Sequence, residues 1–449
     1  MRETSPRTTG IAAGWPWLLA LAGWLFDAAA YWPGHMSFDS AYTWWQARSG
    51  QTVDVVPQAL VLVWRACEAL HSGPGLVFAL HLTLFWSGLA LLARALRLRA
   101  AGTAALMVLV AFAPVPWLLR GHVWTDVGLF SALLLATGAL ACVQTGASKR
   151  WLALALPALF YAAALRHNAL PAVLPFALWF AWLALRGPHA VSRVKVVALA
   201  GVLLAAMLAT SQGLSHTAQR RVLVWPSLAQ FDLVAVSIAT DRLLLPDFMY
   251  APGLEVAELA GTFRPWSNTA MYSGLQHPLY EPFLVEAGSE QARTLRRAWL
   301  DAVLDHPGAW LAHRWTLTRA LFGTHARNWP RELVYVDAEV QYRDNPPVAR
   351  NASALHAALM RAAAALVATP LLAAWPYGVV ALLAFVLAWR RRRETQARLA
   401  LILLASAVLF AAPLPLLAPA AELRYLGWPC VAALLALACA LAGPRGSAR

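Results

Sequence analysis

The 449-residue chain is 60% hydrophobic and 13% charged and carries a formal net charge of +14, with a mean hydropathy of +0.55. Soluble domains are about 45–50% apolar and 25% charged, so composition excludes a soluble protein and points to an all-α polytopic membrane protein. The positive charge is no nucleic-acid footprint, because the long segment 213–355 balances 13 basic against 14 acidic residues and the excess lies in short loops.

In chain order, apolar runs suited to crossing roughly 30 Å of hydrocarbon are expected at 14–31, 74–93, 102–119, 128–146, 151–165, 171–185, 196–212, 371–389, 399–417 and 426–443. The first opens on Trp15, Pro16 and Trp17, holds Asp27 and lacks a small-residue cleavage site, so it reads as a retained span and not as a signal peptide. Residues 57–71 are too short to span, but Leu60, Val63, Trp64, Cys67 and Leu70 recur at helical spacing with Arg65 and Glu68 on another side, the pattern of an interfacial helix. The segment 213–355 is aromatic throughout, with helices expected at about 290–305 and 308–324 on either side of Pro307. An interfacial helix at about 354–368 then precedes the eighth span. This gives a transmembrane module over 1–212, a mainly helical periplasmic domain over 213–355 and a second transmembrane module over 356–449.

Basic residues of short loops stay on the cytoplasmic side. With 213–355 left aside, seventeen fall on one face (Arg94, Lys149, Arg186 and the run Arg390 to Arg393 among them) and six on the other, which places both termini in the cytoplasm. Two lysines against 34 arginines point to GC-rich bacterial coding, hence to a bacterial inner membrane whose outer face is periplasmic. The four cysteines, Cys67, Cys142, Cys430 and Cys439, show neither a disulfide framework nor zinc spacing.

Outside 213–355 the chain has eight acids, and six lie at or near the outer face. Acids at a membrane surface are costly unless paired or solvated. In the first outer loop Asp39 is followed by Tyr42, Trp44, Trp45 and Gln46. Aromatic rings cover the apolar faces of a pyranose, and a carboxylate takes the proton of an attacking hydroxyl; the competing reading is a helix cap beside an interfacial aromatic belt. The second outer loop offers Arg120, His122 and Asp126, the last equally suited to capping the following helix. The third holds Arg166, His167 and Asn168, where an arginine can grip phosphate bidentately or snorkel to the head groups. The last contributes Glu422, Arg424 and Tyr425, either substrate contacts or a salt-bridged loop. Asp27 reads as a snorkelling or paired structural acid and not as a catalyst. His35, His71, His122 and His167 share no ligand spacing, while a divalent cation (Mg or Mn) between Asp39 and Asp126 would neutralise a lipid phosphate.

The segments SFDSAYTWWQARSG (37–50), WTDVG (124–128), LRHNALPAVLP (165–175), AWLDAVLDHPGAWLAHR (298–314) and ELRYLGWP (422–429), in this order, resemble the GT-C superfamily of membrane glycosyltransferases, in particular the bacterial branch near family 39 and the aminoarabinose transferases. The resemblance implies a polyprenyl-phosphate sugar donor and a glycan, lipid or protein acceptor, with transfer in the periplasm. It implies Asp39 and Asp126 as catalytic acids, Arg166, Arg424 and Tyr425 at the donor phosphate, and Tyr42, Trp45, Gln46, His167 and Asn168 at the substrate. Two departures stand out: Ser40 follows Asp39 where the family has a second acid, and the family's His-Pro-Pro is reduced to Val56-Pro57. An O-antigen polymerase or ligase would rely on loop arginines instead of paired acids. A lipid-linked-sugar flippase would carry charges deep in several spans.

Overall fold

The computed structural model describes residues 14–166, 168–187, 190–272, 278–324, 340–367 and 369–442, and among them every regular element is a helix. The first part of the chain forms α1 (Trp15–Tyr31), α2 (Phe38–Ser49), α3 (Gln58–Glu68), α4 (Gly75–Ala95), α5 (Ala100–Ala111), α6 (Pro114–Arg120), α7 (Thr125–Gln144), α8 (Leu152–Ala164), α9 (Leu170–Leu185) and α10 (Arg193–Ser215). Helix α2 starts from an extended Ser37 and stops at Gly50, whose left-handed backbone (φ +73°) returns an N–H to the Gln46 carbonyl at 3.1 Å. In α3, Leu60, Val61 and Trp64 turn inward while Leu62 and Arg65 stay outside, as expected of a helix lying along the bundle surface.

Helices α4 and α7 form the centre. α7 is buried from Asp126 to Val143, which its small residues permit. A Cβ built on Gly88 of α4 would lie 2.7 Å from the Leu134 and Leu135 backbone, and one on Gly138 would lie 2.6 Å from the Gly88 carbonyl oxygen, so the two backbones touch where no side chain fits. The opposite case is α10, an apolar helix buried over only 11% of its most apolar stretch, with Val194, Val197 and Val202 facing outward. Such a surface is stable against lipid and not against water.

The segment beyond α10 folds into α11 (Trp225–Thr240), α12 (Val256–Thr262), α13 (Glu290–Asp305) and α14 (Pro307–Phe322), the last two breaking at His306 and Pro307 where the sequence predicts. Asp232 of α11 is their hub. It accepts the indole N–H groups of Trp299 (2.9 Å) and Trp310 (3.0 Å), pairs with Arg314 at 2.6 Å and lies 3.4 Å from His313. The chain returns through α15 (Ala354–Leu366), α16 (Trp375–Arg390), α17 (Thr395–Ala411), α18 (Leu414–Leu417) and α19 (Gly427–Leu441), so 354–389 is one short helix and one longer one.

The span pattern differs from the sequence reading in two respects. The run expected to cross at 102–119 is broken: α5 and α6 meet at 72° because Pro114 and Pro116 supply no backbone N–H to carry the helix on. By length and composition five described helices can cross a membrane, six if this bent pair is one span. The other expected spans form helices of 13 to 17 residues, α1, α8, α9 and α16, against the roughly 20 that a straight crossing takes.

The bend is fixed by a buried ion pair. Arg120, at the end of α6, sends Nε and Nη2 to the two Asp27 oxygens of α1 at 2.7 and 2.9 Å and Nη1 to the Ala111 carbonyl at 2.6 Å, under the rings of Phe85, Trp86 and Phe112. The Trp86 indole donates to the same carboxylate at 2.7 Å. Arg120 is therefore a brace inside the bundle and not an outer-loop ligand.

Candidate functional site

The loops before α2 and α7 are tied edge to edge. The His35 N–H bonds the Gly121 carbonyl at 2.8 Å, the Val123 N–H bonds the His35 carbonyl at 3.1 Å, the Ser40 hydroxyl donates to the Val123 carbonyl and the Trp124 indole to the Ser37 hydroxyl. These contacts bring together Asp39 and Asp126, each in the first turn of its helix. Neither is the cap residue, which is Ser37 for α2 and Trp124 for α7.

Asp39 is half exposed and receives Arg424 Nη1 at 2.5 Å. Arg424, in the turn before α19, is mostly buried, also pairs with Glu422 through Nε, and stacks over the rings of Trp124 (5.2 Å) and Tyr425 (5.6 Å). Asp126 is buried and paired with Arg166, which lies 4.9 Å over the Tyr425 ring. Its second oxygen, Oδ2, is buried without a hydrogen-bond partner among the described residues. Burial pushes the Arg166 pKa down to about 10, with Tyr425, Glu422 and Asp39 opposing and Arg424 adding to the shift, so Arg166 stays cationic at neutral pH. The Tyr425 ring thus touches the arginines of two acid–arginine pairs, Asp39 with Arg424 and Asp126 with Arg166, at one end of the bundle.

Beside Asp39 lies an aromatic surface. Tyr42 stacks on Phe38 (6.0 Å) and Trp45 (6.1 Å), and the Tyr342 ring stands edge-on to all three at 5.2 to 5.7 Å. Arg343, held at φ +47°, lays its guanidinium 4.2 Å over Trp45. Burial raises the Tyr42 pKa, reinforced by Tyr342, so its hydroxyl remains a neutral donor. Phe38 is exposed and Tyr42 and Tyr342 are half-buried, whereas Trp45 is buried, so the open part of the surface is formed by Phe38, Tyr42 and Tyr342. Gln46 does not belong to it: fully buried, it accepts the Val53 N–H at 2.7 Å and braces the loop. Asn168 is half-buried between α8 and α9, and His167 lies outside the described residues.

Sequence reasoning missed Tyr342 and Arg343, which reach α2 only because the domain before α15 folds back over the first loop. Val340 N–H bonds the Met36 carbonyl (3.0 Å), Asn345 donates to the Ala41 carbonyl (2.8 Å) and Arg48 donates to Asn345 (3.1 Å). The same domain holds the loop before α19, with Arg314 on the Ala418 carbonyl (2.7 Å) and the Ala421 N–H on the Trp266 carbonyl (2.9 Å). Tyr272 stands near Glu281, Asp39 and Glu422, and burial together with these charges raises its pKa.

The residues do not fit a shared divalent cation. Each acid is already paired with a guanidinium, and among the described residues no three His, Cys, Asp or Glu side chains converge on a metal position. His35, His122 and His356 form with Tyr31 a cluster of tilted and edge-on rings, His35 lying 5.0 and 5.3 Å from the other two imidazoles.

No family model, curated protein or solved structure matches this chain.

Proposed function

We propose that the protein is a membrane glycosyltransferase of the GT-C kind, moving a sugar from a polyprenyl-phosphate donor to a hydroxyl of a periplasmic glycan, lipid or protein. The observation that carries the reading is the meeting of Asp39, Asp126, Arg166, Arg424 and Tyr425, contributed by four separate loops, around one ring. In this mechanism the acceptor lies across Phe38, Tyr42 and Tyr342, with its hydroxyl at the exposed Asp39 oxygen. Asp39 takes the proton as the hydroxyl oxygen attacks the anomeric carbon. The bond from that carbon to the phosphate oxygen breaks with inversion, and the departing phosphate monoester takes the guanidinium hydrogen bonds of Arg166 and Arg424. Their carboxylate partners hold both arginines in place until then, and no step needs a metal ion.

The ten-span topology with both termini cytoplasmic belongs to the same proposal. Support comes from the ends of the helices: the carboxylates gather at one end, while Arg97, Lys149 and Arg186 gather at the other. A flippase needs a charged path across the bundle, whereas Asp27 and Arg120, the buried charges on α1 and α6, satisfy one another. The test is transfer of radiolabelled sugar from a panel of undecaprenyl-phosphate sugars to cell-envelope extract by the purified protein. Labelled product from one donor supports the reading. Labelled lipid crossing the bilayer of proteoliposomes without transfer replaces it with the flippase.

A further inference from the structure

At the end of the bundle remote from Asp39, the loops after α4, α7 and α9 meet the start of α17 around an open cavity of about 660 Å³. Arg97, Lys149 and Arg186 line it, and among the described residues no acid does. Glu394, next to the lining residue Thr395, is committed to Arg391 by hydrogen bonds of 3.1 and 2.6 Å. Lys149 gives two ammonium protons to the carbonyls of Ala184 (2.8 Å) and Arg186 (2.7 Å), leaving a third for a ligand. Leu96, Val143 and Leu183 line the same cavity and give it an apolar side.

The two helix ends at this cavity are built alike. After α7, Gly146 (φ +100°) bonds the Val143 carbonyl and Ala147 bonds the Cys142 carbonyl; after α4, Arg97 (φ +50°) bonds the Arg94 carbonyl and Leu98 bonds the Ala93 carbonyl. This closure places one residue in the left-handed conformation, where glycine is favoured because it has no Cβ. The chain uses glycine in one copy and arginine in the other, so helix termination alone does not account for Arg97. A basic hollow between helices at the head-group level is the form that recognises lipid phosphates.

We propose that this cavity binds the phosphate group of an anionic phospholipid, with Arg97, Arg186 and the free Lys149 proton on the phosphate oxygens and the acyl chains leaving past Leu96 and Leu183. The proposal depends on the chain lying in a membrane and not on the transferase reading. The full chain, purified in detergent, is titrated with phosphatidylglycerol, with phosphatidylcholine and with inorganic phosphate, and bound adducts are counted by native mass spectrometry. Phosphatidylglycerol is expected to be retained in preference to phosphatidylcholine. Arg97→Gly and Arg186→Gln are each expected to weaken it about fivefold, the equivalent of ~1 kcal/mol per basic residue at an anionic surface. Arg97→Gly is the decisive variant because glycine suits that backbone, so its melting temperature without lipid should not fall. Equal retention of the two lipids, or unchanged retention in both variants, overturns the proposal; inorganic phosphate that displaces phosphatidylglycerol at equal concentration overturns the lipid as the source of the phosphate.

Discussion

Replacing Asp27 by leucine tests whether the pair with Arg120 holds the bend between α5 and α6. Both side chains are at most 1% exposed, so the variant leaves a buried guanidinium without the carboxylate it meets at 2.7 and 2.9 Å and the Trp86 indole without its 2.7 Å acceptor. Breaking one side of a buried pair costs roughly 3–5 kcal/mol, and an orphaned buried donor about 1 kcal/mol or more, a total of about 4–6 kcal/mol. The double variant Asp27→Leu with Arg120→Met removes both charges and leaves an apolar patch beside Phe85, Trp86 and Phe112, so it should recover about 3 kcal/mol or more of that loss. Unfolding in detergent, followed by circular dichroism for the wild type, both single variants and the double, measures the coupling. A double variant no more stable than Asp27→Leu would refute the claim that the cost lies in the uncompensated charge.

Gly88→Ala should lower the yield of folded protein and its melting temperature, at a cost of about 1–3 kcal/mol, because its methyl meets the Leu134 and Leu135 backbone; unchanged melting would mean that α4 and α7 pack less closely. Burial, with Arg314 adding to it, holds the His313 pKa at about 3 against an unperturbed 6.5, so the folded state keeps this ring neutral while the unfolded chain takes up a proton below 6.5. Its contribution is present above about pH 6.5 and is lost as pH falls towards about 3, so His313→Gln should flatten the acid limb of the unfolding curve in that window. Tyr342→Ala should raise the acceptor KM about tenfold with little change in donor KM, and an altered donor KM instead would move the aromatic surface to the donor side.

Much of the fold is legible in the sequence because it is written in local periodicity. Apolar runs, the break at Pro307 and the amphipathic pattern at 57–71 all appear as helices or helix ends. The bend after Phe112 is signalled by Pro114 and Pro116, but the unbroken hydrophobicity around them reads as one span. The acids and arginines of the candidate site stand out because polar residues at the ends of apolar helices are few. Their pairing does not: Asp39 with Arg424 and Asp126 with Arg166 are decided by which loops meet in space. Asp27 stands out in the sequence as an acid that snorkels or is paired, yet its partner Arg120 reads as a loop residue because the bend that buries it is not apparent. Gln46 and Trp45 are neighbours in sequence, but Gln46 holds the Val53 loop while Trp45 meets Arg343, and Arg343 has no local signal because it reaches Trp45 only through the folded domain.

The most direct test of the central claim compares sugar transfer by the wild type and Asp39→Asn, each purified in detergent and supplied with the same undecaprenyl-phosphate sugar. Asparagine preserves the shape of Asp39 and can still face Arg424, so folding should survive while the base is lost. The account predicts transfer by the wild type and a fall of about 10²-fold or more in the variant, the usual worth of a positioned general base. Equal transfer by the two proteins would contradict it and remove Asp39 from the chemistry.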